Sequence, residues 1–172
     1  LGRDREALEW ARRSVLERPQ HAVAHSWVAA AAANLGETQT ARAALAEFDA
    51  LAAALRAAGV AVVAVDDSAE PQTPDAVFPN NWFSTHADGT VVLYPMCAPN
   101  RRAERRLEVF AELRERGFGC RRLVDLSAHE IDGRFLEGTG SLVLDRVTRT
   151  AFACLSSRTH PAMLELWAEE LG

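Results

Sequence analysis

Lysine is absent from this 172-residue chain: all 19 of its basic residues are arginine. We read that as the mark of a GC-rich coding sequence rather than of function. Cysteine is scarce. Cys97, Cys120 and Cys154 are an odd number at wide spacing, which excludes a disulfide framework and reads as reduced thiols in a cytoplasmic protein. No apolar run approaches the roughly 18 residues that a membrane helix needs. Residues 1–9 are charged and lack the apolar middle of a signal peptide. Positive charge is in deficit, with a net charge of -5, so there is no electrostatic case for nucleic acid or for an anionic membrane surface. Metal motifs are missing too. His129-Glu130 has no second histidine at helical spacing, and no Cys/His pattern fits structural zinc. Gly138-Thr139-Gly140 lacks the later glycine and the lysine of a phosphate loop. Neither a metal nor a cofactor is expected.

What is present is ordinary globular material. Hydrophobic residues make up 48% and charged residues 25%, enough for a core without staples. The front of the chain is helical and carries an internal period. Leu1-Gly2 recurs as Leu35-Gly36 and Ala7 as Ala41, an offset of 34 residues. Ala7, Ala11 and Ser14 place small residues on one helical face. Pro19 ends that helix, a second runs over 22–35, and a third over 38–58 stops at Gly59. Small residues at fixed helical positions let antiparallel helices approach closely. This pattern resembles the tetratricopeptide repeat over residues 1–50, which implies a possible protein partner through that segment.

From Gly59 the pattern changes. Val60 to Val65 is a continuous apolar, β-branched run and predicts a buried strand. Ala87-Asp88-Gly89, between the runs at 82–86 and 90–94, is a hairpin signal. Residues 99–116 predict one amphipathic helix closed by Gly117, and 120–126 a strand. Residues 142–144 and 151–155 predict a second hairpin. Pro161 opens a last helix. The order is a β-β-α-β unit nearly twice over, an α/β class.

The polar clusters sit at element ends, where sites are built. Glu137, in a glycine-flanked turn, can be held rigidly and can grip the N–H donors of a planar substrate; the alternative is a polar turn residue. Asn80 and Asn81 offer donors and acceptors, but side by side in a strand only one would face a given site, and such a pair is more often a strand-end turn than a ligand grip. Arg101 and Arg158 can bind a carboxylate bidentately, whereas Arg105 and Arg106 read as surface. Cys120 and Cys154 read as core residues. Cys97, near Arg101, has a minor claim to activation.

Four ordered motifs then carry a resemblance: TPDAVFPNNWFSTH from Thr73, YPMCAPNRRAERR, FLEGTGSLVLDR and SSRT. The chain from about residue 45 is similar to bacterial citrulline utilisation hydrolases of the guanidino-group-modifying superfamily. The resemblance implies an α/β propeller of five β-β-α-β blades. It implies thiolate attack on a guanidino or ureido carbon, with a histidine moving protons and acidic residues holding the nitrogens. By motif, Glu137 matches the active-site glutamate. Asp75 and Phe78 match residues lining the substrate site, and Arg101 and Arg158 match arginines that bind the substrate's α-carboxylate. Asn81 stands where relatives acting on guanidinium carry an acidic residue; an amide suits a neutral ureido group better, which favours citrulline.

The family's histidine and cysteine come later than anything here, and helices replace its first strand. The expectation is therefore about two of five blades, a partial propeller at 51–172 preceded by a tetratricopeptide-like hairpin at 1–50. Such a piece holds substrate-binding groups and is inactive by itself. The rival reading is a protein-interaction module carrying a vestigial enzyme segment.

Overall fold

The computed structural model describes residues 5–6, 8–10, 12–13, 38–66, 71, 73, 76 and 79–172. It divides into two compact units, Leu1–Asp66 and Asp67–Gly172. The proposed helix over 22–35 and the positions Ala7, Ala11, Ser14 and Pro19 lie outside the described residues, as do Asp75 and Phe78.

In the first unit, helix α1 (Thr38–Ala57) forms where the alanine-rich run is uninterrupted by glycine or proline. It ends as expected at Gly59, whose φ of +83° only glycine adopts freely; the Gly59 N–H bonds the Arg56 carbonyl and the Val60 N–H the Leu55 carbonyl. The run 60–65 is not a strand. It has no regular structure and no ladder partner among the described residues, and Val60 and Val65 are exposed. β-Branched composition favours extended φ/ψ, but a strand also needs a neighbour to bond.

The second unit is built on strand β2 (Thr90–Leu93), every residue of which is buried. β1 (Phe83–Thr85) pairs with it antiparallel through the Ala87-Asp88-Gly89 turn. β3 (Arg122–Asp125) pairs parallel on its other side. The sheet order is therefore β1-β2-β3. Two short helices make the crossover, α2 (Pro99–Arg102) and α3 (Glu108–Glu115), where one continuous helix over 99–116 was expected. The chain leaves the helix between them at 103–107.

Period-two alternation along β2 sends side chains to both faces. Val91 and Leu93 join Trp82 and Met96 in one cluster, with Phe83, Val109, Phe110 and Cys120 packed against it. Phe83 and Phe110 meet edge-on with ring centroids 5.1 Å apart. Val92 and Tyr94 point the other way, into a cluster with Val124, Leu126, Leu136, Leu142, Met163 and Trp167. Met163 and Trp167 come from α5 (Pro161–Leu171), Leu142 from β4 (Leu142–Asp145). β4 pairs antiparallel with β5 (Thr150–Ala153) as a separate two-stranded sheet. Cys154, expected in the core, is exposed, because the β5 residues that precede it are exposed as well. The architecture is mixed α/β with small open sheets and no closed barrel among the described residues. No helix there is long and apolar enough to cross a membrane.

A polar chain crosses the second cluster. Trp167 Nε1 donates to the Tyr94 hydroxyl (3.1 Å), which bonds Ser84 Oγ (2.8 Å), which bonds His86 Nε2 (3.0 Å). Burial raises the Tyr94 pKa, so the phenol stays protonated and available. Tyr94→Phe strands the Trp167 N–H and should cost about 1–3 kcal/mol in a denaturant titration. Burial first, and then Arg146, hold the His86 pKa below its ordinary 6.5, against a smaller opposing pull from Asp88. The unfolded chain therefore takes up that proton first. His86 contributes stability in full above about pH 6.5, and this is lost as pH falls through the lower folded value. Chemical denaturation between pH 7.5 and 5 should show this fall, and His86→Gln should flatten it.

Candidate active site

The sequence Gly138-Thr139-Gly140-Ser141 is too short and too glycine-rich to hold a helix by propensity. It nevertheless forms a single turn, α4 (Gly138–Ser141), because of what packs on it. A 3-10 turn at Pro79–Asn81 lies directly against it. A Cβ on Gly138 would stand 2.1 Å from the Asn80 carbonyl oxygen, and the residue has φ of +22°. The close approach of two backbones is thus written in one missing side chain.

Of the two readings of Asn80 and Asn81, in a strand or in a strand-end turn, the structure has the turn, so they need not face opposite ways. The Asn80 Nδ2 donates to the Asn81 Oδ1 (3.1 Å) and also to the Thr139 hydroxyl. The Asn81 amide nitrogen lies across Gly140: a Cβ there would stand 3.1 Å from it and 3.6 Å from Glu137 Cβ.

Glu137 precedes α4 and is completely buried. Its Oε1 accepts the Cys97 backbone N–H at 3.0 Å and its Oε2 faces Arg158 Nη1 at 3.4 Å. Its backbone is clamped as well. The Glu137 N–H donates to Ser141 Oγ (2.9 Å) and its carbonyl accepts the Ser141 N–H (2.8 Å). Ser141 Oγ in turn donates to the Arg158 carbonyl (2.9 Å) and takes the Thr159 hydroxyl (2.8 Å). An isolated β-bridge between Leu136 and Thr159 stitches the same two segments. Residues 80, 81, 137 and 158, distant in sequence, are brought together.

Arg101 is placed differently. It is buried and binds Glu104 through two nitrogens, at 2.8 and 2.9 Å. Arg105, expected at the surface, is mostly buried and is paired with Glu130 (Nη2–Oε2 3.0 Å). Arg102 Nε bonds the Met96 carbonyl (2.9 Å) and stands 3.3 Å from Glu130 Oε2. Glu130 Oε1 accepts the Met96 N–H (2.7 Å). These groups hold residues 94–97, the strap that presents the Cys97 N–H to Glu137. The reading of the sequence missed Glu104, Glu130, Ser141 and Thr159 as members of this assembly. Only the Arg101–Glu104 spacing of three offered a local signal.

In chemical terms the site is a buried carboxylate with one oxygen held by main chain and one oxygen turned to a guanidinium, and with the amides of the 79–81 turn across the glycines that follow it. It can grip planar N–H donors. Among the described residues no group of three or more His, Cys, Asp or Glu is placed to hold a metal ion.

Gly138→Ala places a methyl group on the Asn80 carbonyl and should destabilise the chain by about 2–4 kcal/mol. The denaturant midpoint reads this directly, whereas Gly133→Ala, at a residue with positive φ but open space around it, should cost less.

Residues 17–172 match the model of a family described as N,N dimethylarginine dimethylhydrolase, eukaryotic. No curated protein matches the chain. The matched range takes in the Asn80-Asn81 turn, Glu137 and Arg158 together, and the chain belongs to this dimethylarginine dimethylhydrolase family, hydrolases that act on small guanidino amino acids.

Proposed function

We propose that this chain belongs to a cysteine-dependent hydrolase whose substrate carries a ureido head, citrulline in the first instance, rather than a methylated guanidinium. The observation that carries this reading is that the Asn81 amide nitrogen and the stem of the buried Glu137 flank the same residue, Gly140. A guanidinium is a cation and is best held between carboxylates. A ureido group is neutral, and its carbonyl oxygen needs a donor that an amide supplies. Glu137 takes the head-group N–H donors, Asn80 and Asn81 set its orientation, and Arg158 meets the α-carboxylate. Arg101, Asp75 and Phe78 complete the proposed set, the last two from motif alone.

The chemistry is thiolate attack on the ureido carbon, with a histidine handling protons and no cofactor. We assign neither role within this chain. Cys120 packs against the Trp82 cluster and Cys154 is exposed on the β5 side. Cys97 contributes its backbone N–H to Glu137. Among the described residues no cysteine is bonded to a histidine, the pairing a thiolate nucleophile calls for. For the fold, β1-β2-helix-β3 is one β-β-α-β unit and β4-β5-α5 repeats its first three parts, which supports a reading as about two of five propeller blades at 51–172.

A second reading concerns the front segment, 1–50, as a tetratricopeptide-like surface for a protein partner. Leu45, Phe48, Leu51 and Leu55 form an exposed apolar stripe on and just beyond it. The family match, however, begins at residue 17, inside that segment.

Isothermal calorimetry tests the substrate reading. Citrulline should bind about tenfold more tightly than dimethylarginine, and Asn81→Asp should reverse the order. Tighter binding of dimethylarginine by the unaltered chain would overturn the assignment.

A further inference from the structure

Glu137 has two donors of different character. The Cys97 N–H belongs to a strap fixed by Arg102, Arg105 and Glu130. The Arg158 guanidinium is not fixed in this way. Its Nη1 stands 3.4 Å from Oε2, and its side chain is 52% exposed while that of Glu137 is wholly buried. Charge-assisted N–H···O contacts usually close to about 2.7–2.9 Å, so this guanidinium rests on the carboxylate without being locked to it. The Arg158 backbone, by contrast, is pinned. Its N–H donates to Ser156 Oγ (3.1 Å) and its carbonyl takes the Ser141 hydroxyl (2.9 Å). Only the side chain is free to move, and it can do so without disturbing the segment that carries it.

We propose that Arg158 is an internal stand-in for the substrate head group. In the ligand-free chain its guanidinium occupies the outer oxygen of Glu137, the position a substrate's planar N–H donors must take. Binding is then an exchange: the head group displaces Arg158 from Glu137, and the released guanidinium turns to the α-carboxylate of the same ligand. This rests on the functional reading above for the identity of the ligand, but not for the exchange itself. The physical need is plain. A buried carboxylate left bare carries a heavy desolvation penalty, and an exposed arginine that covers it can also leave it. A small guanidinium ion replaces Arg158 charge for charge, which makes it the sensitive probe of the vacated place whichever amino acid is the substrate. Arg158 on this view is a positioning residue that sets ligand affinity by competing for the site.

The experiment is chemical rescue, read by thermal unfolding of the full 172-residue chain. Arg158→Ala should lower the melting temperature by about 3–6 °C. Methylguanidinium at about 10 mM should restore most of that loss, methylurea less, because it brings N–H donors but no charge to the buried carboxylate, and sodium chloride at equal concentration none. The unaltered chain should barely respond, and the double variant Glu137→Gln/Arg158→Ala should not respond at all. Equal shifts in the parent and the single variant, a response in the double variant, or no rescue would each overturn the proposal. If Arg158→Ala is unfolded on its own, folding induced by methylguanidinium supports the exchange, and a chain still unfolded at saturating probe counts against it. Arg158→Gln, which keeps part of the stem, is read in the same way. The citrulline preference is decided separately, by calorimetry at Asn81, so either idea can fail while the other stands.

Discussion

Two backbones that nearly touch organise the second unit. The turn at 79–81 and the turn at 138–141 can approach only because position 138 has no side chain. From that contact follow the placing of Asn81 across Gly140 and the depth at which Glu137 sits. The carboxylate is then satisfied from two directions in sequence, the strap at 97 and the loop at 158, while the hydroxyl at 141 holds the Glu137 main chain. A charge so buried survives only where such partners are already in position. The site is therefore a consequence of packing and not an addition to it.

Arginine does much of this work, and its geometry explains how. The guanidinium fork pairs with carboxylates through two nitrogens and bonds main-chain carbonyls with the others. Arg102 and Arg105 with Glu130 use that capacity to tie the end of α2 and the residues after it to the strap at 94–97, while Arg101 with Glu104 joins α2 to the residues that follow it. Such pairs are weak evidence for net stability, since burying ions offsets their attraction. Their effect is on arrangement: they set where the Cys97 N–H points. The hydrophobic clusters on the two faces of β2 supply the cohesion, at about 1.5–3 kcal/mol for each fully buried aliphatic side chain.

Much of the local structure was legible because its causes are local. Asp88-Gly89 specifies a hairpin wherever it falls between strand-like runs, and here the Asp88 carboxylate takes both the Thr90 N–H and its hydroxyl. Gly59 stops α1, and Pro161 opens α5. The failures have a common cause as well. Residues 60–65 have strand composition but no ladder partner among the described residues, Cys154 lies on an exposed stretch of hairpin, and the chain between Pro99 and Arg116 breaks into two helices. Composition over a few residues settles neither pairing nor burial. Motif likeness singled out Glu137, Asn81, Arg158, Arg101, Asp75 and Phe78; of these Glu137 and Arg158 meet and Asn81 lies across Gly140, Arg101 pairs with Glu104 instead, and the last two lie outside the described residues.

By itself, then, the amino-acid order determined the element types, the turn positions and the identity of the polar residues worth watching, because dihedral preference and hydrophobic period act over a few residues. Tertiary structure alone decided that the turn at Asn80 and Asn81 packs on Gly138, that Glu130 steadies a strap 34 residues away, and that Arg158 lies on Glu137. Burial and charge pairing are properties of position in space, and a sequence states them only after the chain has closed on itself.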